Sequence, residues 1–226
     1  MIDISKIKQK LKKTLINLLP RRHKNRLKEN YITANVSLEW WEKHLNNLVL
    51  EQYQEYLKGK VADFGCNHGA CTILAARNPK IEEITGFDFN EKAIKTARNL
   101  LESSNEGQAK VHFRVAGLQD IDYADNYFDS AFMFHTLEHI YQEDHQAIFS
   151  NLKRILKSGA YFIVTTPYEK AYDDGLQHVA FFNEQSLADL IEKYGFQVLE
   201  CYRDQRTDQH TGQRYDCLTL LSENLK

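Results

Sequence analysis

The chain has 226 residues, 42% hydrophobic and 27% charged, a balance suited to one water-facing domain, since single cores extend to about 250 residues. No run approaches the ~18 apolar residues of a spanning helix, no apolar segment with a small-residue cleavage site follows the start, and Cys66, Cys71, Cys201 and Cys217 show no zinc-type pairing, so a cytoplasmic, reducing location is expected. The net charge of −2 conceals a division: residues 1–30 hold ten Lys/Arg against Asp3 and Glu29, so they carry +8 and the remainder −10.

Ile4, Ile7, Leu11, Leu15, Leu18 and Leu19 recur at helical spacing, which predicts an amphipathic helix over residues 3–19, stopped by Pro20. Its lysine face is either a solvated surface on the domain or an anchor on anionic lipid at the inner face of the membrane. With almost no interleaved aromatics it does not suit nucleic acid. The expected division is a basic extension at 1–30 and one folded domain at 31–226. Ser37 caps a second predicted helix that runs to about Leu57 and ends at Gly59.

From Lys60 strands and helices alternate: strand 60–64, helix 70–77, strand 83–88, helix 90–103, strand 110–115, strand 128–134, helix 143–156 and strand 160–165. Asn90 is the expected cap of its helix, and Ser103 to Gly107 is turn chemistry. Such alternation implies an α/β fold, a mostly parallel sheet covered on both faces, with the ligand beyond the strands' carboxyl ends. A helix from Asn183 or Glu184 to Tyr194 follows, broken by Gly195. Strands at 196–202 and 215–221 then flank a polar loop from Arg203 to Arg214; without a helix between them they should pair antiparallel and leave one reversed strand at the sheet edge.

The residues Val61-Ala62-Asp63-Phe64-Gly65-Cys66-Asn67-His68-Gly69 bring an apolar strand into an acid and a glycine-bearing turn whose backbone can approach a ligand. A second strand ends in Asp88 and Phe89, and an acid there can accept from ribose hydroxyls, so a nucleoside-bearing cofactor is predicted. A nicotinamide oxidoreductase is the competing class, but its Gly-x-Gly-x-x-Gly fingerprint would require glycine at Asn67 and Ala70.

Together with Phe128-Asp129-Ser130-Ala131-Phe132, Leu137-Glu138-His139-Ile140 and Leu152 to Ala160, these segments resemble the class I S-adenosylmethionine-dependent methyltransferases over about residues 37–222. The segments Gln177 to Phe182 and Tyr194-Gly195-Phe196 look like those of small-molecule members in quinone and surface-glycan pathways. The resemblance implies a Rossmann-like seven-stranded sheet with a reversed last strand and S-adenosylmethionine as cofactor. It implies that Gly65, Cys66, Asn67 and Gly69 form the loop against the methionine portion, that Asp63 organises that loop, that Asp88 holds the ribose, that Phe89 packs on adenine, and that Phe134 and His135, ending the fourth strand, offer a backbone carbonyl to the cofactor's ammonium. Gly117 stands where members often have an acid for the adenine amino group, so the Leu118 amide is the expected substitute. Asn67, in place of a glycine, tolerates left-handed backbone.

Methyl transfer to a hydroxyl needs alignment and a base. His135, His178 and His139 lie on segments the fold would bring to the mouth of the site, and imidazole titrates near neutrality. His135 is the first candidate base and His178, after the lid-like Tyr172 to Gly175, the second; His139 reads as structural. His135, Glu138 and His139 share one turn but lack a carboxylate partner elsewhere, so no metal is expected. Tyr31, Trp40 and Trp41 suit either an acceptor wall or packing. The expected acceptor is a small molecule or a glycan, lipid-linked if the basic helix meets a membrane. A catalytically silent cofactor-binding module is the remaining reading, and the sequence gives no sign of oligomeric state.

Overall fold

The structure, a computed structural model, describes residue 38 and residues 46–104, 110–169, 178–207 and 214–226. The predicted basic helix, the extension at 1–30, Tyr31, Ser37, Trp40, Trp41, the turn at 105–107, the lid at 172–175 and Gln177 lie outside them.

Chain order is α1 (Asn46–Gln52), β1 (Gly59–Phe64), α2 (Ala70–Ala75), β2 (Ile81–Asp88), α3 (Glu91–Ser104), β3 (Val111–Val115), β4 (Phe128–Phe134), α4 (His145–Ile155), β5 (Leu156–Pro167), α5 (Glu184–Lys193), β6 (Phe196–Thr207) and β7 (Arg214–Asn224). The seven strands form one sheet in the order β3-β2-β1-β4-β5-β7-β6. Strands β1 to β5 pair parallel, and β7 runs antiparallel to both β5 and β6.

Alternation along each strand divides the core. Ala62, Phe64, Met133, Phe162, Val164 and Leu218 face α4 and α5, where Phe149, Leu152, Leu187 and Ile191 meet them. Val61, Phe132, Ile163 and Leu221 face the other way, against Val49, Ile73 and Ile94 of α1, α2 and α3. Both faces are apolar because parallel strands are covered twice.

Most predicted elements form where expected. The Asn90 side chain accepts from the amides of Lys92 and Ala93, 3.0 and 3.4 Å away, at the start of α3. Asn183 caps α5 through a reciprocal pair with Ser186, and Gly195 ends that segment at φ 82°.

Four expectations are corrected. The helix predicted to Leu57 gives way after Gln52 to turns, and Gly59 opens β1. The first turn of the predicted helix 143–156 is a 3-10 turn, Gln142–Asp144. The polar loop is shorter than predicted: Arg203 to Thr207 continue β6, because Asp204, Gln205 and Arg206 find partners in Cys217, Asp216 and Tyr215. The reversed strand is not the edge: β7 inserts between β5 and β6, leaving β6 outermost.

Candidate functional site

Where the chain leaves β1, Gly65 (φ 84°), Asn67 (φ 48°) and Gly69 (φ 82°) adopt left-handed backbone, so Asn67 accepts the conformation its residue type permits. The amides of Gly65 and Cys66 both donate to the Phe87 carbonyl, at 2.8 and 2.9 Å, tying the loop to the end of β2. A Cβ at Gly65 would collide with the Thr136 side chain beyond β4, and one at Gly69 would lie 2.5 Å from the Phe113 ring. Backbone from β1 thus passes in direct contact with β3 and β4 neighbours.

Asp63 is buried beneath this loop and accepts from the Thr72 hydroxyl of α2 at 2.6 Å. Burial, reinforced by the nearby Asp88 charge, outweighs that bond and raises its carboxyl to about 7. Asp88 accepts from the amides of Asn67 (3.0 Å) and Asn90 (2.8 Å), one on each oxygen. Burial pushes Asp88 up as well, while those two amides pull it down. The Asn67 Oδ1 is buried with no hydrogen-bond partner, an acceptor awaiting a donor inside the loop.

Phe89, directly after β2, is 48% exposed, an aromatic face left open beside Asp88. The Ala116 amide donates to the Asp88 carbonyl at 2.9 Å, bringing Gly117 and the 3-10 turn Leu118–Asp120 to the same rim. Burial lowers His68 in the loop to about 4, so its ring is neutral at physiological pH, and burial raises the Cys66 thiol, so it is no nucleophile there.

At the end of β4, His135 takes φ 50° and its amide donates to the Thr165 carbonyl at 2.9 Å. Its Nδ1 lies 3.5 Å from Glu138 Oε1, and its Nε2 lies 4.0 Å from Cys217 Sγ on β7. Burial opposes the charged ring, but the Cys217 sulfur and the Glu138 carboxylate outweigh it and raise His135 to about 9. Burial likewise opposes the Glu138 charge, and His135, His139 and His178 together hold its carboxyl below the usual range. The next residue, Thr136, donates to the carbonyls of Gly65 (3.4 Å) and Phe134 (3.2 Å), so β4 and the β1 loop are joined at this point.

His178 comes to the same cluster because the amides of Val179 and Ala180 donate to the Glu138 carbonyl, at 2.8 and 3.1 Å. Its ring centroid is 5.0 Å from that of His139. Glu138, His139 and His178 place one ligand atom each within 4.8 Å of one another, the one set among the described residues that could hold a metal ion. Ligands at about 2.1 Å from one tetrahedral ion sit roughly 3.4 Å apart, so the set would have to contract. The grouping expected from sequence, His135 with Glu138 and His139, does not form that set; His178 completes it in place of His135, whose ring lies between Glu138 and Cys217.

The structure therefore gathers Asp63, Gly65, Cys66, Asn67, Gly69, Asp88, Phe89, Gly117, Leu118, Phe134 and His135 at the carboxyl ends of β1 to β4, with His139 and His178 joined through Glu138. Thr72, Thr136 and Cys217 were not anticipated. Thr72 and Thr136 stand next to recognised motifs, but nothing in the sequence links Cys217 to a residue 82 positions earlier.

A model described as a methyltransferase domain matches residues 62–164. An O-methyltransferase of Aspergillus sclerotiorum is 25% identical over 150 residues, covering 62% of this chain and 55% of that protein. The chain spans little more than half the length of such relatives. A ubiquinone/menaquinone biosynthesis C-methyltransferase of Geotalea daltonii is 25% identical over 107 residues, covering 47% of this chain and 44% of its own. Among solved structures, a SAM-dependent methyltransferase of Methanosarcina mazei superposes with a TM-score of 0.66 at 21% identity, covering 80% of this chain and 99% of that one, a likeness of fold.

Gly65→Ala is expected to lower stability by more than the roughly 1–2 kcal/mol of left-handed strain, because its Cβ meets Thr136. In a Thr136→Gly background the same substitution should cost less, measured as coupling in a denaturant double-mutant cycle; additive effects would show that the two side chains do not compete for space.

Proposed function

We propose that this chain, which belongs to the class I S-adenosylmethionine-dependent methyltransferases, transfers the sulfonium methyl group to a hydroxyl of a small-molecule acceptor with His135 as general base. The observation that carries this reading is the placement of the His135 ring: one residue before Thr136, whose side chain contacts the Gly65 loop, and 3.5 Å from Glu138.

The loop suits the cofactor on structural grounds. Gly65 and Gly69 leave no room for side chains, which lets backbone approach a bound group, and the buried Asn67 Oδ1 offers an acceptor to an ammonium or ribose hydroxyl. Bound there, the cofactor supplies an electrophilic methyl group whose departure needs no acid. Asp88, already fixed by two amides, turns its remaining lone pairs to the ribose hydroxyls. Phe89 stacks on adenine and the Leu118 amide donates to its ring. The Phe134 carbonyl, with one lone pair on Thr136, offers the other to the amino group. Asp63 shapes the loop through Thr72.

His135 takes the proton of the acceptor hydroxyl on its neutral ring as the oxygen attacks. Glu138 orients that ring and stabilises the imidazolium that forms. A sulfonium nearby counteracts Glu138, because like charges disfavour protonation, and brings the ring closer to neutrality. His178 and His139 act through Glu138 rather than on the acceptor. The +8 charge of residues 1–30 supports a lipid-linked acceptor, a glycan or quinone precursor presented at an anionic surface.

Three outcomes test this reading. With saturating cofactor, the transfer rate should rise with pH along a limb above the ordinary imidazole value of about 6.5 and no higher than about 9, since only the deprotonated ring accepts a proton. Glu138→Gln should move the limb to lower pH, and a pH-independent wild-type rate would remove His135 as the base. Binding of S-adenosylhomocysteine near pH 6 should release close to one proton, because Asp63, about 7 without ligand, ionises as the ammonium arrives. Calorimetry in buffers of different ionisation heat reads this release, and Asp63→Asn should abolish it. Removing residues 1–30 should abolish co-sedimentation with phosphatidylserine vesicles; undiminished binding would dissociate that segment from the membrane.

A further inference from the structure

Arg206 in β6 is only 6% exposed, and its guanidinium is incompletely paired. Nε lies 3.2 Å from both carboxylate oxygens of Asp204, and Nη2 donates to the Thr219 hydroxyl of β7 at 2.7 Å. Nη1 is buried with no hydrogen-bond partner. A guanidinium carries donors only, so Nη1 requires an oxygen that none of the described residues provides. Leaving a charged donor buried and unsatisfied opposes folding, and such a group calls for a cause.

A second orphan lies on the same face. Thr165 of β5 pairs with Thr219 across the β5–β7 ladder, and its Oγ1 is also buried without a partner. Both lead to the proposed base. The Thr165 carbonyl accepts the His135 amide; Tyr215, the strand partner of Arg206, has its ring 6.3 Å from the His135 ring; and Cys217 lies between them, 4.0 Å from His135 Nε2. Residues of β4, β5, β7 and β6 thus form one polar row within an otherwise apolar face.

Resting on the methyltransferase reading above, we infer that Arg206 Nη1 and Thr165 Oγ1 form a subsite for an anionic oxygen of the acceptor, so that the substrate carries a carboxylate or phosphate as well as the hydroxyl that is methylated. Neither orphan atom touches solvent, so a bond to an anionic oxygen forms where a charge-assisted hydrogen bond is strongest. Entry requires the side chains over this face to part.

The test uses the full chain, first saturated with S-adenosylhomocysteine; failure of that step alone rejects the methyltransferase reading. Calorimetry then compares 3,4-dihydroxybenzoate with catechol, the same ring without the carboxylate, and with inorganic phosphate. The wild type should bind dihydroxybenzoate at least tenfold tighter than catechol if the anion is a carboxylate, or bind phosphate measurably if it is a phosphate. Arg206→Met should abolish the preference, leave cofactor affinity unchanged, and keep or raise the thermal midpoint, since the substitution removes an unsatisfied cation. Arg206→Lys should retain part of the preference. A wild type with no preference for an anionic probe overturns the inference. So does an Arg206→Met protein that loses thermal stability and keeps the wild-type preference, which would make the arginine purely structural.

Discussion

Gly65 stands where the chain leaves β1 and must pass in contact with Thr136 at the end of β4. Any side chain at Gly65 would occupy the space of that threonine, and its left-handed backbone is one that residues with a Cβ adopt at a cost. Because this approach is so close, the loop, the end of β2 and the first residues after β4 form one surface. Asp88 is secured to the loop by the Asn67 amide, and His135 is held one residue from Thr136. If the contact opened, the proposed base and the glycine-bearing loop would separate.

Two buried carboxylates illustrate how this surface assigns charge. Asp63 and Glu138 are both 2% exposed, so desolvation penalises each. Asp63 meets one hydroxyl and another acid, and its carboxyl is held near neutral pH. Glu138 lies among three imidazoles and stays ionised. The first is ready to respond to an arriving cation; the second already holds one in place. Neighbours, not depth, decide between them.

Much of the molecule is legible in its sequence because its signals are local. The strand before Asp63, the cap at Asn90, the reciprocal cap at Asn183 and the break at Gly195 each depend on residues within a few positions. The glycine-bearing turn after β1 was readable for the same reason: glycine spacing and an acid at a strand end act over one turn. The position of β7 was not readable. Hairpin proximity correctly implied that β6 and β7 pair antiparallel, but whether the reversed strand lies at the edge or inside depends on which apolar surface β5 offers, and Ile163, Val164 and Thr165 match Leu221, Leu220 and Thr219 in register. The same insertion extends β6, turning Arg203 to Thr207 from loop into strand.

The amino-acid order by itself determined the α/β class, the positions of most strands and helices, and the glycine-bearing loop with its two acids, since periodicity, capping and turn chemistry are properties of neighbouring residues. Only the tertiary structure decided what each ionisable group faces: that His135 lies between Glu138 and Cys217, that His178 reaches Glu138 from forty positions away, and that Arg206 is buried with one nitrogen unpaired. Those pairings arise from strand order and register, which bring together residues far apart in the chain, and an electrostatic environment is set by distance in space rather than along the sequence.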